Sequence, residues 1–187
     1  MRRGDKVYIK LDDKKHLAIF LGQGDFSKAY LIQTNKGPYV ITYGDDCTKE
    51  VIALWGDKSN PHVPKIWRYD TNIYLMPYYK PLTKEYRVAW NQYITLKKVL
   101  EAVRRSYINR VGINDYRKDD GYRVIDEFIT FLCSHQKNIN SALCDALKDI
   151  CDTCTNCGSN IMFEFAPRNL GVDNKGRLVL RDIVFLY

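Results

Sequence analysis

The sequence predicts an α+β fold: a mostly antiparallel sheet with one helix over residues 1–80, then a reduced helical region over 81–187 ending in a β-hairpin. Three observations carry that expectation. Short alternating or continuously apolar runs, punctuated by turn residues, fill the first part. Beyond Pro81 the apolar spacing changes from two residues to three and four. Near the end, "DNKG" separates two short apolar runs, a strong turn sequence between paired strands.

Taken in order, "KVYIKL", "LAIFLG" and "KAYLIQT" read as strands, "NKG" as a turn and "PYVITYG" as a further strand. "CTKEVIALWG" has a helical pattern that Gly56 ends. "PHVPKIWRYD" and "TNIYLMPYY" return to strand-like runs about a polar turn at Asp70, Thr71 and Asn72. Tyr93, Leu96, Leu100, Val103 and Tyr107 then mark one helix, and Val124, Ile125, Phe128, Ile129 and Leu132 a second, with "GINDYRKDDG" between them. A third helix covers about residues 140–155 and breaks at "NCGSN". The closing strands are Leu170–Val172 and Arg177–Leu180, and pairing them sets Asn169 opposite the region of Leu180 to Asp182.

At 187 residues and 45% hydrophobic content the chain builds a sizeable core, which excludes a disordered chain. No run of eighteen apolar residues occurs, and "MRRGDKVYIKLDDKKH" is too charged for a secretory signal. The expectation is a soluble, cytoplasmic protein without a membrane partner. Residues 80–123 carry eleven Lys and Arg against five Asp and Glu, a balance of +6 within a net charge of +7. Such a stretch suits an acidic protein surface, nucleic acid or a phosphorylated ligand, or is simply a solvated helical face. No alternation of aromatic and basic residues suited to stacking bases accompanies it, which argues against nucleic acid.

Six cysteines in a chain of this kind are expected to be reduced thiols. Cys151, Cys154 and Cys157 form C-x-x-C-x-x-C, with Cys144 seven residues upstream of Cys151, a spacing open to zinc or an iron–sulfur site. Leu143, Leu147, Ile150, Cys151 and Cys154 also recur at helical spacing, and free cysteine packs as a small buried hydrophobe. With no fourth ligand at suitable spacing downstream, the buried helix face is the preferred reading.

An amide oxygen and a carboxylate at the open end of the final hairpin, Asn169 and Asp182, suit a hard cation such as Mg²⁺, which takes one or two protein oxygens and fills its shell with water and phosphate. At this point the order of parts resembles a protein kinase, and most closely the early serine/threonine protein kinase family of podovirus-type bacteriophages. The resemblance covers residues 17–82 and 158–187. "LGQGDFSKAY" is similar to the glycine-rich loop, with Gly22 and Gly24 free to approach phosphates, Phe26 at the tip and Ser27 where a third glycine stands. Glu50 falls where the first lobe's helix carries its acidic residue, and "YLMPYYKPL", with Met76, resembles the strand and hinge that meet adenine. "FEFAPRN" is similar to a degenerate catalytic loop: Glu164, the implied base, precedes Asn169 by five residues, and Asp182 of "RDIVF" follows Asn169 by thirteen.

The resemblance implies ATP and Mg²⁺ as cofactors, Asn169 and Asp182 as metal ligands, and a Ser or Thr of a host protein as acceptor. It also shows departures. Thr42 stands where the strand lysine belongs, so that charge must come from Lys28 or Lys49 or be absent, and charge is the main catalytic resource of phosphoryl transfer. Glu164 is one methylene longer than the expected Asp and lacks the preceding His-Arg. Two readings stay open: a phosphotransferase, or a catalytically impaired pseudokinase that binds and inhibits a host protein through Arg104, Arg105 and Arg110 of the basic region.

Overall fold

The computed structural model describes residues 1–11, 13–24, 26–112, 121–155 and 161–186. They divide into two units, one of residues 1–55 and 65–78, the other of 56–64 and 79–187. The architecture is mixed α+β, with an antiparallel sheet and, among the described residues, four α-helices.

The first unit contains β1 (Lys6–Leu11), β2 (Lys14–Gln23), β3 (Lys28–Thr34), β4 (Gly37–Tyr43), α1 (Cys47–Trp55), β5 (Trp67–Asp70) and β6 (Ile73–Pro77). The strands form one sheet in the order β1-β2-β3-β4-β6-β5, antiparallel throughout. Period-two alternation puts Ile9, Leu11, Ala18, Phe20, Tyr30, Ile32 and Ile41 on one buried face. Phe20 and Tyr30 pack there with ring centroids 5.4 Å apart. Each fully buried aliphatic or aromatic side chain of this kind stabilises the unit by about 1.5–3 kcal/mol. Asp46 opens α1 as its N-cap, accepting the Lys49 amide at 3.1 Å, and Val51, Ile52 and Ala53 are buried.

Residues 57–66 correct one expectation. Of "PHVPKIWRYD" only Trp67–Asp70 is strand, because Pro61 and Pro64 lack the N–H that a ladder requires. Residues 56–64 belong instead to the second unit, through bonds from Leu180 N to the His62 carbonyl at 2.9 Å and from Asn60 Nδ2 to the Ala142 carbonyl at 2.8 Å.

The second unit adds β7 (Lys80–Pro81), α2 (Arg87–Val111), α3 (Gly121–His135), α4 (Ser141–Thr155), β8 (Ile161–Phe163), a 3₁₀ turn (Pro167–Asn169), β9 (Gly171–Val172), β10 (Leu178–Val179) and β11 (Val184–Leu186). Gly112 ends α2 in the left-handed region at φ 69°, its N–H bonded to Ile108 O at 2.9 Å. Leu96, Ile125, Phe128, Leu132, Leu143, Leu147, Ile150 and Ile161 form the fully buried centre. The predicted hairpin is present, with Leu178 opposite Val172 and Val179 opposite Gly171. β7 extends it as a third strand, and β11 pairs with β8. No described helix is long and apolar enough to cross a membrane.

The cysteines also depart from expectation. Cys133 and Cys144 form a disulfide with Cα atoms 5.8 Å apart, because the end of α3 and the start of α4 meet there, so six reduced thiols are not what the fold holds. Cys151 and Cys154 are buried on α4, and Cys157 lies outside the described residues. Among the described residues no three His, Cys, Asp or Glu are grouped to hold a metal.

Candidate functional site

Glu164 owes its outward direction to its neighbours. Phe163 and Phe165 are buried and pack on Phe128, with centroids 6.2 and 5.6 Å from its ring. Alternation therefore turns the intervening Glu164 away from the aromatic cluster, and its side chain is 38% exposed. Three residues on, Pro167 starts the 3₁₀ turn, since its missing N–H costs nothing at a helix start. The turn delivers Asn169, 6% exposed, back against the strand end. Asn169 Nδ2 donates to Glu164 Oε2 at 3.0 Å, which leaves the amide oxygen as the acceptor end of the side chain.

Asp182 arrives from the other arm. Its amide donates to the Asn169 carbonyl at 3.0 Å, and the Glu164 amide donates to the Ile183 carbonyl at 2.8 Å. Backbone bonds at both ends thus bring Glu164, Asn169 and Asp182 together, and Asp182 is exposed. The hairpin register expected from "DNKG" is the cause. Three arginines hold the loop, and none was singled out for this by spacing. Arg104 Nη2 donates to the Phe163 carbonyl at 2.6 Å, and Arg181 Nη2 to the Arg168 carbonyl at 2.6 Å. Arg168 itself pairs with the Glu164 carboxylate at 3.0 Å. Gly171 is required by close approach: a Cβ there would lie 2.6 Å from Tyr79 Cβ and 3.0 Å from Arg181 Cδ.

These three residues, joined through the backbone bonds above, carry two carboxylates and an amide oxygen, ligand types suited to a hard divalent cation. Glu164 in its ion pair is also an acceptor for a hydroxyl proton, provided Arg168 releases one carboxylate oxygen. Among the arginines expected on the basic face, Arg104 is turned to the Phe163 carbonyl, and Arg110 pairs with Glu127 and lies over the Tyr107 ring at 5.3 Å. Arg105 is exposed, its Nε on the Glu101 carbonyl at 3.3 Å.

In the first unit the glycine turn joins β2 to β3. A register shift between Phe20 and Gly22 bends β2 at this point, Gly22 has φ 155°, and Gly24 N–H bonds the Ser27 carbonyl at 2.9 Å. Phe26 is exposed at the tip and Ser27 is half-buried. Gly44, which no motif or spacing marks, lies against the turn: a Cβ there would lie 1.9 Å from the Phe26 carbonyl oxygen.

Lys28 is exposed at the start of β3. Thr42 is 3% exposed, and its hydroxyl has no hydrogen-bond partner among the described residues. Met76 is buried on β6 opposite Val40. Glu50 pairs with Arg68 at 3.1 Å, an arginine that periodicity could not have flagged, while Lys49 is buried against Asp46. Burial alone would raise the Asp46 carboxyl, but the Lys49 charge and the bonds from Lys49 and Thr48 hold it below its usual range.

No family model matches the sequence, and no curated protein matches it. Among solved structures the chain is similar to a Plasmodium vivax ethanolamine kinase, with a TM-score of 0.35 and 14% identity. The match covers 91% of this chain and 55% of that one, so the chain spans about half that kinase's length. A likeness this slight carries no argument about activity.

Proposed function

We propose that the chain is a kinase-like phosphotransferase of the phage type that binds ATP with Mg²⁺ and phosphorylates Ser or Thr of host proteins. The observation that supports this best is the meeting of Glu164, Asn169 and Asp182 at one end of the hairpin, at sequence separations of five and thirteen. In this reading Asn169 and Asp182 hold the metal, whose charge offsets that developing on the transferred phosphoryl group. Glu164 accepts the proton of the attacking hydroxyl. In the same reading the turn of Gly22, Gly24, Phe26 and Ser27 approaches the phosphates, with the Gly24 N–H kept on the Ser27 carbonyl, and Met76 contacts the base.

Transfer of labelled γ-phosphate from ATP to a host lysate protein tests it. The wild type should transfer the label, and Asp182→Ala and Glu164→Gln should lose transfer. Transfer that survives Asp182→Ala, or no transfer by the wild type to any lysate protein, would contradict it.

A second reading has its own observation. Thr42 supplies no charge, and Arg168 occupies the Glu164 carboxylate, which favours a pseudokinase that binds a host protein through its basic helix. Arg104 holds the Phe163 carbonyl and Arg110 pairs with Glu127 on α3, whereas the exposed Lys97 and Arg105 bond Glu101 of their own helix, so reversal of Lys97, Lys98 and Arg105 probes an acidic partner at little cost to the fold. In that reading, triple reversal abolishes partner capture and catalysis is absent throughout.

A further inference from the structure

Lysine is almost never fully buried unless paired, and the first unit buries one. The Lys49 side chain is 8% exposed, and its ammonium lies on the Asp46 carboxylate, 7% exposed. The same carboxylate accepts the Thr48 hydroxyl at 2.7 Å and the Lys49 amide at 3.1 Å. α1, which carries this pair, packs on β5 and β6. On β6, Tyr74 is 1% exposed, and burial, followed by the charges of Glu50 and Asp46, pushes its phenol up. Ile73 and Leu75 pack against the apolar cluster of Ile41, so alternation projects Tyr74 from the other face of β6.

Thr42 stands directly opposite Tyr74 in the β4–β6 register, and directly opposed residues of an antiparallel pair project from the same face. The buried Thr42 hydroxyl, without a partner among the described residues, thus lies on the Tyr74 face of the sheet, opposite the Ile41 cluster. A buried hydroxyl left unpaired is rare enough in native folds to call for a cause.

We propose that Lys49 and Thr42 are the phosphate-contacting pair of the first unit, an inference that rests on the nucleotide-binding reading above. Lys49 gives its charge to a phosphate oxygen of ATP, Thr42 donates its hydroxyl proton to the same group, and Asp46 keeps the ammonium paired until the nucleotide replaces it. The charge missing from β4 then arrives from α1, seven residues further along the chain. One anion replaces another on the ammonium, so the buried lysine is at no stage left unpaired, the condition that makes buried charge so costly.

Calorimetric titration with Mg²⁺-ATP separates this from a purely structural ion pair. Asp46→Asn keeps the helix cap, since Asn caps as well as Asp, but frees the ammonium of its competing anion. ATP affinity should rise roughly 5- to 10-fold. Thr42→Val removes the unpaired hydroxyl without changing its shape, so the ligand-free protein should melt higher while ATP binds about tenfold more weakly. If Asp46→Asn fails to fold, Thr42→Val alone decides. Wild-type affinity in Thr42→Val overturns the pairing and leaves the nucleotide reading standing, whereas a wild type that binds no ATP overturns both.

Discussion

Asn169→Asp tests the packing of the second unit's cluster and its metal chemistry in one variant. The substitution keeps the shape of the side chain but turns an amide donor into a second carboxylate beside Glu164, whose Oε2 lies 3.0 Å from Asn169 Nδ2. Loss of a hydrogen bond to a charged acceptor costs about 1.5–3 kcal/mol. Two like charges near 4 Å repel by about 4 kcal/mol at an effective dielectric constant near 20. Glu164 is 38% exposed and already paired with Arg168 at 3.0 Å, so solvent and that cation reduce the repulsion to about 1 kcal/mol.

The expected deficit is then about 3 kcal/mol, which for a chain of this length lowers Tm by about 6–12 °C. Adjacent carboxylates raise the pKa of one of them in the folded state. A raised folded value means that protonation favours the fold, so the deficit is largest near pH 7 and shrinks as pH falls toward the unfolded carboxylate value of about 4. Added Mg²⁺ should restore Asn169→Asp more than it stabilises wild type, because a cation relieves the pair and binds the native state by mass action. Scanning calorimetry at several pH values, with and without Mg²⁺, reads all of this. An unchanged Tm near neutrality, or a deficit constant across the acid range, would refute the reasoning.

Other expectations follow from the same geometry. Gly44→Ala, whose Cβ would meet the Phe26 carbonyl oxygen at 1.9 Å with φ at +149°, should cost about 2–5 kcal/mol in a urea melt. Gly24→Ala meets nothing within 4 Å and should stay within about 0.5 kcal/mol. Reduction of Cys133–Cys144, which closes a loop of sequence separation 11, should lower stability by about 2–3 kcal/mol. In the folded protein Cys151, its thiol pushed up to about 12 by burial, should resist iodoacetamide until denaturant is added.

Acid should act in two stages. Burial above all depresses His62, so its contribution is present above about pH 6.5 and lost as pH falls through its lower folded value. Asp46 is held below its usual range against the cost of burial, so its contribution persists down to about pH 4 and disappears below that. His62→Gln should remove the first stage and Asp46→Asn the second, as read by the pH dependence of Tm.

Much of this was legible in the sequence because it is local. "DNKG" set the hairpin, and its register put Asn169 beside Asp182. Helical spacing gave Leu143, Leu147, Ile150 and Cys151 a common buried face. What the sequence could not display is long-range. Nothing in the spacing of Arg104 or Arg181 announces the carbonyls they hold, 59 and 13 residues away. The attachment of residues 56–64 to the second unit depends on His62 meeting Leu178 and Leu180, more than a hundred positions later. Cys133 and Cys144 lie on different helices, and no local spacing pairs them. The burial of Lys49 turns on the sheet face that α1 covers, which periodicity leaves undecided.

The most direct test of the central claim is calorimetric titration of the wild type and Asp182→Asn with ATP, each with Mg²⁺ and with excess chelator. If Asn169 and Asp182 hold the metal that carries the nucleotide, the wild type binds ATP in Mg²⁺ and loses most of that affinity in chelator, and Asp182→Asn binds weakly under both conditions. Equal ATP affinity in all four titrations, or no binding in any, would contradict it.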